Sequence, residues 1–137
     1  MRKIVLIDDD RDDAELFQEA LFEIDPSVDF EHFEESKEAL KILLQKQDHL
    51  PDLIFLDINM PAMNGWEFLD KYRSQSREAK RKIMIVMLTT SLFPEDKQRA
   101  GDVPEISAFE NKPLTEEKLK IILGKYFEDD QTKKKTA

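Results

Sequence analysis

Three uninterrupted apolar runs, Ile4–Ile7, Leu53–Leu56 and Ile83–Leu88, constrain this chain more than any other feature. A strand with one wet face alternates apolar and polar side chains, because successive residues point to opposite sides. A run without alternation has to bury both faces, and a parallel sheet covered by helices does that. Two weaker strands accompany these runs, Val28–Phe33 and Ile106–Phe109. The first sets Val28, Phe30 and His32 against acids, which is the pattern of an edge strand.

Helical patterns separate the strands. Ala14, Phe17, Leu21 and Ile24 recur at helical spacing, with Glu15, Glu19 and Glu23 on another face. Ser36 is placed to cap a second helix running through Gln47, in which Ala39, Leu40, Leu43 and Leu44 are apolar. A third helix is expected from about Trp66 to Lys80, burying Trp66, Leu69 and Tyr72, and a short fourth over Pro94–Ala100. Thr115 caps the last, Glu116 and Glu117 favour its dipole, and Leu119, Ile122, Leu123 and Tyr126 face inward. Strand and helix thus alternate five times, which predicts an α/β fold with a doubly wound, five-stranded parallel sheet in the order 2-1-3-4-5. The 137 residues make one domain, expected over 1–128. Residues 129–137 are polar and end in Lys133–Lys135, Thr136 and Ala137, which reads as a disordered tail with no output domain attached.

Charge excludes several functions. The net charge is −9, and residues 1–57 hold seventeen acids against six bases, so the excess acidity lies in this half. Such a chain repels phosphate backbones and anionic lipid, so neither nucleic acid nor membrane is an expected partner. With no cysteine there is no disulfide, thiolate nucleophile or zinc-thiolate site. His32 and His49 are isolated surface residues on this reading rather than metal ligands. The apolar runs are too short for a membrane helix or signal peptide, and a cytoplasmic location is the default expectation.

In a doubly wound sheet, ligands bind beyond the carboxyl ends of the strands, where strand order reverses. Asp8, Asp9 and Asp10 follow the first strand, Asp57 ends the third, Thr89, Thr90 and Ser91 end the fourth, and Lys112 follows the fifth. Converging carboxylates raise one another's pKa, and a hard cation resolves that conflict. An all-oxygen ligand set without His or Cys points to Mg²⁺, whose open positions take phosphate oxygens. Lys112 adds a second positive charge and Thr89 a hydroxyl donor, so a carboxylate among them is a plausible nucleophile toward phosphorus.

These residues carry a family resemblance. Ile4 through Asp10 resembles the first strand and acidic pair of response-regulator receiver domains of two-component systems. Asp57-Ile58-Asn59-Met60-Pro61-Ala62-Met63-Asn64-Gly65 is similar, without a gap, to their phosphorylation loop D-x-x-M-P-x-M-x-G. Leu88-Thr89-Thr90-Ser91 resembles the switch-threonine segment, and Phe109-Glu110-Asn111-Lys112-Pro113 the aromatic-x-x-Lys-Pro element. The resemblance implies a flavodoxin-like, stand-alone phosphoacceptor of the chemotaxis-regulator kind. Asp57 would take a phosphoryl group from the phosphohistidine of a sensor kinase or phosphotransfer protein. Mg²⁺ would be held by Asp8, Asp9, Asp57 and the Asn59 main-chain carbonyl, Lys112 would pair with the phosphoryl group, and Thr89 and Phe109 would switch. A protein target and a monomer or phosphorylation-dependent dimer follow from the same resemblance.

Departures from the family pattern are equally specific. Phe109 lacks a hydroxyl, so any switching works by packing, and Thr90 stands where many relatives carry a smaller residue. Asn59 and Ser91 flank the expected line of hydrolytic water. Asp10, Asp12 and Asp13 read more simply as acids favouring the start of the first helix, Trp66 and Met63 as packing residues, and the bases of 77–82 as a solvated loop. The alternative function is a Mg²⁺-dependent phosphohydrolase with an aspartyl-phosphate intermediate, since Asp8 and Asp10 show a D-x-D spacing. As a phosphoacceptor the chain would not be an enzyme in the ordinary sense.

Overall fold

A computed structural model of the chain describes residues 2–45, 50–75, 83–90 and 94–136. The elements are β1 (Lys3–Ile7), α1 (Arg11–Ile24), β2 (Asp29–Phe33), α2 (Ser36–Gln45) and β3 (Leu53–Asp57), then α3 (Gly65–Gln75), β4 (Met84–Thr89), α4 (Pro94–Gly101), β5 (Ile106–Asn111) and α5 (Glu116–Thr136). All strands run parallel in one sheet ordered β2-β1-β3-β4-β5, as in the expected doubly wound fold.

The unalternating runs divide their side chains between two layers. Val5, Ile7, Ile54, Leu56, Ile85 and Met87 pack with Ala39 and Leu43 of α2 and Phe68 and Leu69 of α3. Ile4, Leu6, Leu53, Phe55, Val86 and Leu88 face the other way, onto Phe17 and Leu21 of α1 and Leu119 and Ile122 of α5. Both faces of the central strands are therefore dry. Each fully buried side chain of this size contributes about 1.5–3 kcal/mol. On β2 and β5, the two edge strands, most residues are half-buried or exposed.

Helix termini follow local chemistry, with some differences from expectation. Asp10 is the N-cap of α1, its carboxylate accepting from the Asp12 and Asp13 main-chain N–H groups. Thr115 caps α5, its hydroxyl oxygen accepting from the Lys118 N–H at 3.1 Å. Ser36 does not serve as the cap of α2. The first helical hydrogen bond runs from Ala39 N–H to the Glu35 carbonyl, so Glu35 holds that position. Ser36 opens the helix, buried, and donates to the Met63 carbonyl at 2.5 Å. The expected ends of the second and third helices, at Gln47 and Lys80, lie outside the described residues, as do His49, Ser91 and 77–82.

The last helix, α5, continues to Thr136. Residues 125–136 contain neither Gly nor Pro and include four Lys, so no residue there stops a helix once Thr115 has started it. Among the described residues, no helix is long and apolar enough to cross a membrane.

Candidate functional site

Strand register assembles the site. Ile7 pairs with Leu56 across β1 and β3, the two strands where the winding reverses, so Asp8 and Asp57 leave the sheet side by side. Asp57 pairs with Leu88, and Thr89 with Asn111, which sets the next residue, Lys112, at the same edge. The Lys112 N–H donates to the Thr89 carbonyl at 2.7 Å, tying β4 to the start of the β5–α5 connection.

Carboxylate oxygens of Asp8, Asp9 and Asp57 lie within 4.8 Å of one another. Asp8 and Asp57 are buried and Asp9 is exposed. The Lys112 ammonium reaches into this group, 2.7 Å from Asp8 Oδ2, 3.2 Å from Asp13 Oδ2 and 3.4 Å from Asp57 Oδ2. Its tightest partner is therefore Asp8 rather than Asp57. Burial pushes the Asp57 carboxyl up to about 7; the Lys112 charge opposes this, the Asp8 charge adds to it, and the Asn59 main-chain N–H opposes it. Burial works to lower the Lys112 pKa, but the hydrogen bond to Asp8 and the charges of Asp57 and Asp8 outweigh it and hold the ammonium above its usual value. Three clustered oxygen donors, one of them a buried carboxyl held partly protonated, fit a hard divalent cation.

The loop after Asp57 is locked in an uncommon shape. Met63 N–H donates to the Pro61 carbonyl at 2.7 Å across Ala62, whose φ is 67°. A three-residue turn with positive φ at a residue bearing Cβ is strained and persists only where surroundings enforce it. Ser36 holds the Met63 carbonyl from α2, and Gly65 N–H donates to the Ile58 carbonyl at 2.8 Å. A Cβ on Gly65 would lie 2.6 Å from the Asp57 carbonyl oxygen and 2.9 Å from Ile58 Cα. Only glycine lets α3 start this close to the strand. Asn64 and Glu67 then exchange side-chain-to-main-chain hydrogen bonds at 2.9 and 3.1 Å, a capping box that starts α3 firmly.

Thr89 is fully buried at the end of β4, and Phe109, half-buried on β5, packs against the core layer of α2 and α3. Asn59 is exposed in the loop. Three residues read from the sequence as bystanders touch the site. Asp13 bonds Lys112 as well as standing in the first turn of α1. His32 is half-buried, and its Nε2 donates to the Asp8 main-chain carbonyl at 2.8 Å. Ser36 braces the Met63 carbonyl. Asp13 follows its cap, Asp10, by three residues, a spacing that turns it toward the strand ends and was legible. Nothing in the sequence marks His32 or Ser36.

The family model described as the response regulator receiver domain matches residues 4–123. Among solved structures, a two-component response regulator from Cytophaga hutchinsonii is 27% identical, with a TM-score of 0.82 over 93% of this chain and 98% of its own. The chemotaxis protein CheY4 of Vibrio cholerae is 30% identical, with a TM-score of 0.76 over 93% of this chain and 99% of its own. The hybrid signal transduction histidine kinase L of Dictyostelium discoideum is 27% identical over 125 residues, 90% of this chain but only 7% of that protein's length. On the match over residues 4–123, the fold and the neighbours it resembles, this chain belongs to the response regulator receiver domain family.

Proposed function

We propose that Asp57 accepts a phosphoryl group from a phosphohistidine on a partner protein, in a Mg²⁺-dependent reaction, and that the resulting acyl phosphate drives a conformational switch. Receiver domains are signalling phosphoacceptors, not conventional enzymes, and they partner with histidine kinases or phosphotransfer proteins. The observation that carries the reading is Asp57 itself: a buried carboxyl flanked by Asp8 and Lys112 at the sheet's reversal point.

Asp57 attacks phosphorus through a carboxylate oxygen; the P–O bond forms, the P–N bond breaks, and its electron pair stays on the imidazole nitrogen. Asp8, Asp9, Asp57 and the Asn59 main-chain carbonyl would hold the metal. A bound Mg²⁺ supplies charge that keeps these carboxyls ionised and offers its open positions to phosphoryl oxygens. Lys112 exchanges Asp8 for a phosphoryl oxygen, a move of its flexible head group within a site where it already lies 3.4 Å from Asp57. Thr89 supplies a hydroxyl, and Phe109 reports the change by repacking. Leu16, Phe17, Pro113 and Leu114 line an open apolar cleft beside Asp13 and Lys112, next to which the phosphohistidine-bearing protein would dock.

The phosphohydrolase reading gains nothing from the geometry. Asp10, second acid of the D-x-D spacing, is committed to capping α1. Incubation with Mg²⁺ and acetyl phosphate, followed by intact mass spectrometry, tests the proposal. One added phosphoryl group is expected on the wild type and none on Asp57→Asn; equal uptake by both, or none by either, refutes it.

A further inference from the structure

Helix α4 has little to hold it in place. Of its residues Pro94–Gly101 only Ala100 is buried. Two of its described side-chain contacts converge on one residue, Trp66. The Trp66 indole N–H donates to Asp96 Oδ1 at 3.3 Å, and the Arg99 guanidinium stacks over the same ring, 4.5 Å from its centroid. Trp66 is itself buried and belongs to the core layer of α2 and α3. It directly follows Gly65, whose N–H donates to the Ile58 carbonyl and where an added Cβ would lie 2.6 Å from the Asp57 carbonyl oxygen. The base of the indole is thus fixed to the phosphoacceptor loop, while its edge and face hold α4.

We propose that Trp66 is a positioning residue that latches α4 to the Asp57 loop, so that a change at Asp57 is passed to α4 through the indole as well as along β4. The inference rests on the phosphoacceptor reading for the change at Asp57, but the latch is a property of the resting chain. A hydrogen bond and a cation–π contact at a partly buried site each hold a segment by a modest amount, about 3–10-fold apiece in opening equilibrium. That is small enough to be broken by phosphorylation and large enough to bias which arrangement α4 adopts.

Hydrogen exchange of the amides of 95–101 tests the latch, and the emission of Trp66, the chain's single tryptophan, tests the coupling. In the resting protein, Asp96→Ala and Arg99→Ala are expected to speed exchange in α4 about 3–10-fold and leave β1 and β3 unchanged, whereas Asp96→Asn, which keeps an acceptor oxygen, retains the protection. Unchanged α4 exchange in both alanine variants overturns the latch. Mg²⁺ with beryllium fluoride, an acyl-phosphate mimic whose binding is read independently by ¹⁹F NMR, should shift Trp66 emission and α4 exchange in the wild type. Bound fluoride with both signals unmoved overturns the coupling while leaving the phosphoacceptor reading intact. Absence of bound fluoride counts against that reading, and the exchange of the resting variants still decides the latch.

Discussion

Replacing Asp57 by Asn should make the metal-free protein more stable at alkaline pH, not less. The folded chain holds the Asp57 carboxyl at about 7 against an ordinary 3.8, chiefly because burial disfavours the anion. Between about pH 4 and 7 the folded state keeps a proton that the unfolded state has lost, so wild-type stability falls as pH rises through this window and is level above it. The gap between 3.8 and about 7 corresponds to about 4 kcal/mol. Relaxation of Asp8 and Lys112 around the anion reduces it, so the expected gain for Asp57→Asn at pH 8 is about 2–4 kcal/mol. Asn is a fair replacement because Lys112 remains paired with Asp8 at 2.7 Å and Asp13 at 3.2 Å, and the amide oxygen can still accept from the Asn59 N–H. Urea denaturation of both proteins with EDTA, at pH 8 and near pH 4, measures the difference; comparing the pair at each pH cancels all other titrations. The gain should shrink below about 1 kcal/mol near pH 4. Equal stability at pH 8 refutes the buried-anion argument, and a gain independent of pH assigns the effect to amide packing instead of charge.

Three further outcomes follow from the same geometry. With the proposed Mg²⁺ site at the ionised carboxyl, metal affinity should weaken towards tenfold per pH unit below about 7, with uptake of metal releasing close to one proton. Calorimetry in buffers of different ionisation enthalpy reads that proton, and a pH-independent affinity contradicts it. Lys112→Ala removes the ammonium from Asp8 and Asp57 and should destabilise the metal-free chain by about 3 kcal/mol at pH 8, with part of the loss restored by Mg²⁺; no change in the urea midpoint would mean the ion pairs contribute nothing. Gly65→Ala sets a Cβ 2.6 Å from the Asp57 carbonyl oxygen and should cost about 1–3 kcal/mol while slowing acetyl phosphate uptake, whereas wild-type thermal stability and uptake would show that the loop yields freely.

Much of the architecture was legible because it rests on short-range periodicity. Ile4–Ile7 and Leu53–Leu56 could only be strands dry on both sides, and those strands carry Asp8 and Asp57 at their ends. Thr115 and Asp10 acted locally, as first-turn residues do. Ser36 misled because a serine before an apolar helix is normally a cap, whereas here its hydroxyl donates to the Met63 carbonyl, 27 residues away.

Strand periodicity and the residue types at strand ends determined the sheet, its order and the set of acids, hydroxyl and ammonium that meet at one edge. Those signals are local, so they survive in the linear chain. Tertiary structure alone decided which of these groups touch: that Lys112 leans on Asp8 and Asp13 more closely than on Asp57, that His32 holds the Asp8 carbonyl, and that Trp66 reaches Asp96 and Arg99. Residues 24 to 104 positions apart make the hydrogen bonds among these contacts. Sheet register and layer packing set such distances to a fraction of an ångström, and no pattern of neighbours along the chain encodes them.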